Sequence, residues 1–206
     1  VAEHGFLPIR FYPNFGGEQP PALVLRSGDR VRTRTLDAHG FDERGAQPAS
    51  GPNPLTGPFW VEGAEEGDTL AVLLEELEPN RESAWSHRFL AENVVDPSAA
   101  RRLPEQAYVR WRVDRAGRRL QLVEPAGELT LPLAPMLGCI GTAPPGGQSL
   151  SSATSGPYGG NMDWPGVAAG VTLYLPVFAP GALLSVGDGH ACQGDGEMAG
   201  SGVEVS

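Results

Sequence analysis

Residues Tyr108–Asp114 read Tyr-Val-Arg-Trp-Arg-Val-Asp, an alternation of apolar and charged side chains that suits a strand with one buried face. The chain turns at Arg115-Ala116-Gly117 and returns through Arg119-Leu120-Gln121-Leu122-Val123, which predicts a hairpin. Other apolar runs read the same way. Leu23-Val24-Leu25-Arg26 stops at the turn signal Ser27-Gly28-Asp29. Arg30–Asp37 then alternates Arg with Val, Thr or Leu and brings Asp37 to a strand end beside His39 and Gly40. Pro58–Gly63 predicts a strand, and Thr69–Leu77 a buried strand or a short helix. Val171–Phe178 and Ala182–Val186 are strands, with Pro180-Gly181 as the turn between them.

The remaining segments are less regular. Residues 80–104 carry no clear period, and proline at 132 and 135 confines residues 131–136 to an edge or extended segment. Residues 138–160 read as one long loop of Gly, Ser, Thr and Pro, of a length that implies a function. No repeat and no helix longer than two turns stands out. The expected class is mostly β, with sandwich- or barrel-like sheets, long Gly/Pro-rich loops and little helix, in a single domain over residues 1–206.

Composition sharpens this picture in a few places. Gly (28) and Pro (20) approach a quarter of the 206 residues, but they punctuate apolar runs, as turns do in a folded β protein. The net charge of −10 argues against nucleic acid or an anionic membrane as partner. All fifteen basic residues are arginine, which excludes Ser–Ser–Lys and Cys–Glu–Lys amidase chemistry and a Schiff-base lysine. Cys139 and Cys192 make no disulfide framework and read as reduced thiols. With no signal-peptide pattern and no apolar run long enough to span a bilayer, a cytoplasmic location is expected. The first residue is Val rather than Met, which reads as a trimmed or partial chain.

The densest chemistry lies in Val186–Glu197, where Asp188, His190, Asp195 and Glu197 are separated by glycines. Glycine lets the backbone turn sharply, so short acidic side chains can converge. On a strand Asp188 and His190 would share a face; on a Gly-flanked turn both could point inward. Imidazole plus carboxylate is the donor set of catalytic zinc sites, in which the metal acidifies a water. The rival reading is a polar turn whose Asp side chains cap backbone amides. An EF-hand starting at Asp188 fails, because Gln193 and Ala199 stand where Gly and Glu are needed. Upstream, Gly159–Pro165 offers Asn161 and Asp163. Ser149, Ser151, Ser152 and Ser155 lack a nucleophile elbow and read as a solvated loop. The four tryptophans read as core or pocket wall, and His87, between Trp85 and Arg88, as a candidate for a pocket rim.

Five segments resemble the acetamidase/formamidase family in order and spacing. They are Gly51–Pro58 with Val61–Ala64 and Gly67-Asp68; Gly138–Gly141; Gly159–Asp163; Leu173–Val177; and Gly187–His190 with Gln193–Glu197. The resemblance implies a mostly β fold, a zinc site, with calcium in some members, and hydrolysis of small aliphatic amides to acid and ammonia. Carried over, Asp37, Asp163, Asp188, His190 and Glu204 become metal ligands. Asn161 and Asp195 join the catalytic set, and Glu197 is the proton shuttle. His39 departs from the family and reads as a loop histidine, with an extra ligand as the alternative. The family continues beyond the position of Glu204, so the chain reads as lacking its C-terminal portion, with truncation, cleavage or a second chain as the explanation. A homo-oligomer is expected. Lactam hydrolysis at the same site and a non-catalytic metal-binding β module remain the alternatives.

Overall fold

The 108–123 hairpin stands in the computed structural model, which describes residues 1–206, as its alternation requires. Tyr108–Asp114 pairs antiparallel with Arg119–Glu124, with a bulge between Arg110 and Trp111. Val109, Trp111 and Val113 are buried while Tyr108, Arg110 and Arg112 face outward. Thr130–Pro132 adds an edge strand on one side and Ser83–His87 on the other, completing a four-stranded sheet. Ser83–His87 escapes detection in the sequence because its inward face is Ala84 and Ser86, too small and too polar to register as an apolar stripe.

A six-stranded sheet forms the other half, in the order 155–156, 159–161, 136–141, 184–190, 56–61 and 23–25. Its pairs are antiparallel except Leu23–Leu25 with Thr56–Val61. The central strands Met136–Gly141 and Leu184–His190 are buried along their whole length. This corrects the single loop expected over 138–160, which contains most of a central strand and three short ones. Gly138 and Gly141 imitate loop composition there, but close packing demands them; a Cβ on Gly141 would sit 2.8 Å from Gly160 N.

Two further readings need correction. Strand Arg30–Arg32 is short and pairs parallel with Glu3–Gly5, so Asp37 lies beyond it in a turn. Thr69–Leu73 is a strand, but it pairs with Thr172–Pro176 alone and is half-exposed, with Leu73 facing solvent. The strand-rich class is confirmed, and the sheets stay open without closing a barrel. Helix is limited to Pro97–Ala100 and two 3-10 turns. No helix is long and apolar enough to cross a membrane.

Residues 202–206 run between the two large sheets. Glu204 exchanges backbone hydrogen bonds with Trp85, while Val205 N–H donates to Gly189 O and Ala191 N–H to Val203 O. Val203 and Val205 thereby enter the core of the four-stranded sheet. The larger core joins Leu137, Ile140, Leu184 and Val186 of the central strands to Leu173 and Leu175. Ile140 is completely buried there, so Ile140→Ala is expected to cost about 2–5 kcal/mol in denaturant unfolding.

Candidate metal centre

Asp188 and His190 lie two apart on the central strand Leu184–His190, and their side chains meet. Asp188 adopts φ +57° and Asp163 φ +45°, left-handed conformations that non-glycine residues seldom take and that cluster at functional sites. The neighbouring strand makes room. Leu137 pairs with Gly189 and Cys139 with Gly187, so Gly138 stands across from Asp188. A Cβ on Gly138 would lie 2.5 Å from Asp188 Oδ2 and 2.6 Å from Asp163 Oδ1. Only glycine lets both carboxylates close over that point.

Glu204 arrives on the 202–206 segment, 1% exposed, with Oε1 3.1 Å from His190 Nε2. Asp188 Oδ1 is 3.5 Å from the same nitrogen. Two overlapping groups result, Asp188–His190–Glu204 and Asp163–His190–Glu197, each with ligand atoms within 4.8 Å of one another. Asp163 Oδ1, Asp188 Oδ1, His190 Nε2 and Glu204 Oε2 are buried without a hydrogen-bond partner, the ion-pair contacts to Nε2 not having hydrogen-bond geometry. Buried polar atoms in native proteins are normally satisfied, and three orphaned carboxylate oxygens with an orphaned imidazole nitrogen fit a bound cation.

Gln193 sets the histidine tautomer. Its Nε2 donates to the Asp163 carbonyl, which turns Oε1 toward His190 Nδ1 at 2.7 Å. Nδ1 must then carry the proton of the neutral ring, leaving Nε2 bare toward the carboxylates. This is how ligating histidines are usually oriented.

Not every expected residue joins. Asp37 is buried but fully engaged: Oδ2 accepts from Arg81 Nη2 at 2.6 Å and Trp85 Nε1 at 3.0 Å, and Oδ1 accepts from the His39 and Phe41 N–H groups. With a guanidinium partner of its own, it belongs to neither group. Asp195 is exposed and joins neither. Asn161 lines the adjoining cleft, its Oδ1 accepting from Asn53 Nδ2 at 2.7 Å and Cys139 Sγ at 2.9 Å. His39 stacks on Trp85 with centroids 4.2 Å apart, and His87 also reaches the cleft. Both cysteines are free. The orienting roles of Gln193 and Gly138 are read from the structure; in the sequence both residues stand inside the matching segments with no sign of what they hold.

The electrostatics follow from crowding. Burial, then the Asp188 charge, pushes Asp163 up to about 6. Burial and then Asp163 push Glu197 up to about 8. Burial raises Glu204 to about 7, against the attraction of His190 and with Asp188 adding to the rise. For His190 burial works downward, but Glu204 and then Asp188 overcome it and hold the ring well above its usual range. Burial also lowers His39 and raises the Cys139 thiol, which stays protonated.

The fold has close counterparts among solved structures. A predicted acetamidase/formamidase of Thermoanaerobacter tengcongensis is 32% identical, with a TM-score of 0.81, and the alignment covers all of this chain and 67% of that one. The chain belongs to the acetamidase/formamidase family. Bacillus halodurans acetamidase is 33% identical at a TM-score of 0.79, with 98% of this chain and 66% of that one covered. The acetamidase of Mycolicibacterium smegmatis is 27% identical over 198 residues, 70% of this chain and 48% of its own length. The chain thus spans about half the length of the curated relatives it matches. A model described as the Acetamidase/Formamidase family matches residues 147–206, a stretch that holds every member of both acidic groups.

Two outcomes are expected for this cluster. Gln193→Ala should weaken divalent-cation affinity by about 10–100-fold in a competitive chelator titration. The second concerns pH. Asp163, Glu197, Glu204 and His190 all bind protons more tightly folded than unfolded. Their contribution to stability is therefore complete on the acid side and lost as pH rises through the folded values. Cation-free protein should melt progressively lower from about pH 5 to about pH 8, and added zinc should raise Tm more at the upper end.

Proposed function

We propose that this chain carries the centre of a hydrolase that splits the carbon–nitrogen bond of linear amides, yielding an acid and ammonia, and that a divalent cation belongs in it. The observation carrying the reading is the convergence of buried, unpartnered Asp163 Oδ1, Asp188 Oδ1, Glu204 Oε2 and His190 Nε2. Family membership supplies the reaction class.

Asp188, His190 and Glu204 would hold the cation, with Asp163 and Glu197 forming the second group around the same imidazole. A nitrogen donor among carboxylates favours zinc over calcium, which takes oxygen ligands. When bound, such a cation polarises a carbonyl and makes a water more acidic.

The chain's own groups supply the rest. Asn161 has its carbonyl oxygen committed to Asn53 and Cys139, so its amide N–H groups are the ones left to donate. Aimed at the amide oxygen, they stabilise the charge that develops there. Glu197, half-buried at the cleft wall, takes a proton from the attacking water and returns it to the departing nitrogen. Water thus divides between products, the oxygen to the acid and the hydrogens to acid and ammonia.

Ammonia release from formamide and acetamide tests this. Release should stop on chelation, return with zinc, and be lost in His190→Ala together with bound metal. Equal release before and after chelation rejects the cation's part. Calcium bound with His190 free, and no ammonia from any amide, favours a binding module instead. A lactam in the same assay separates ring opening from linear hydrolysis.

A further inference from the structure

The acidic groups open into a cleft of about 380 Å³, within the range of about 300–1,000 Å³ of sites that bury drug-sized ligands. Formamide and acetamide would occupy a small part of it. The character of the remaining wall is the informative point. Besides Ala38 and Pro52, the ring-bearing residues His39, Trp85 and His87 line the cleft among polar neighbours; no Leu, Ile, Val, Met or Phe lines it. A site shaped for a methyl group would need a tight aliphatic pocket, and this cleft has none.

The rings are also held in place. Trp85 donates its indole N–H to Asp37, which Arg81 anchors in turn. His39 stacks on Trp85 at an interplanar angle of 25°, on the turn that Asp37 caps through the His39 and Phe41 N–H groups. Tyr108 braces Trp85 edge-on at 5.3 Å and packs against His87 at 5.6 Å. A preorganised aromatic surface loses little entropy on meeting a flat partner, and ring pairs favour stacked or edge-to-face contact beyond the area they bury.

We infer that the cleft recognises carboxamides whose acyl group carries a flat or aromatic ring, in preference to formamide and acetamide. This rests on the amide-hydrolase reading for turnover, and on the ring-lined cleft alone for binding. Asn161, Glu197 and Glu204 meet the carboxamide end, while His39, Trp85 and His87 meet the ring.

Phenylacetamide against acetamide is the test, on the full chain loaded with zinc, reading both ammonia release and binding by saturation-transfer NMR. Phenylacetamide should bind more tightly and show a kcat/KM at least tenfold higher. Loss of one ring contact in His39→Ala or His87→Ala should lower the phenylacetamide-to-acetamide ratio about two- to tenfold. Trp85→Phe, which keeps a ring, should preserve more of the ratio than Trp85→Leu. Turnover of acetamide with weaker binding of phenylacetamide, or variants that shift both amides equally, overturns this inference and leaves the hydrolase reading intact. Preferred binding of phenylacetamide with no ammonia from any amide supports the ring cleft and overturns the hydrolase reading.

Discussion

Removing a carboxylate from water costs several kcal/mol unless a counter-charge or hydrogen bonds replace the lost solvation, and this fold gathers Asp163, Asp188 and Glu204 around one imidazole. Left alone, such groups take up protons, and the raised values of Asp163, Glu204 and Glu197 record that tendency. The crowding is imposed by the scaffold. Two aspartates are held in left-handed backbone, and Gly138 gives way so that they can meet. A divalent cation, as proposed above, would turn this repulsion into binding energy.

Asp37 shows the contrast within the same molecule. It is as deeply buried as the others, yet Arg81 neutralises it and four donors saturate its oxygens. One buried acid is thus spent on architecture, locking the 37–41 turn and the Trp85 ring, while its neighbours are left with free lone pairs. Burial and charge alone do not distinguish the two uses; the inventory of partners does.

The sequence exposed what depends on local pattern. The 108–123 hairpin was legible because Val109, Trp111 and Val113 all bury one face, and the Gly-spaced acids because they are contiguous. The central strand Met136–Gly141 was not legible, since Gly138 and Gly141 answer to side chains elsewhere in the chain and make a strand look like a loop. Ser83–His87 was missed because Ala84 and Ser86 give no apolar signal. Asp37 reads as a ligand from its identity and its neighbours in sequence, whereas Arg81 and Trp85, its partners in the structure, are remote in the chain. Glu204 came from resemblance alone. Nothing in Gly200–Glu204 reveals that this segment lies between two sheets.

That placement links the site to the whole fold. Gly202 lies flat against the His190 ring, where a Cβ would come within 2.6 Å, and Glu204 is backbone-bonded to Trp85 of the other sheet. The third member of the donor set therefore exists only once strands distant in sequence have docked on both sides of 202–206. The donor set is thus a gauge of topology: a chain with one sheet formed and the seam unclosed has the aspartates and the histidine but not Glu204 beside them, so the proposed cation would separate the finished fold from a partly assembled one.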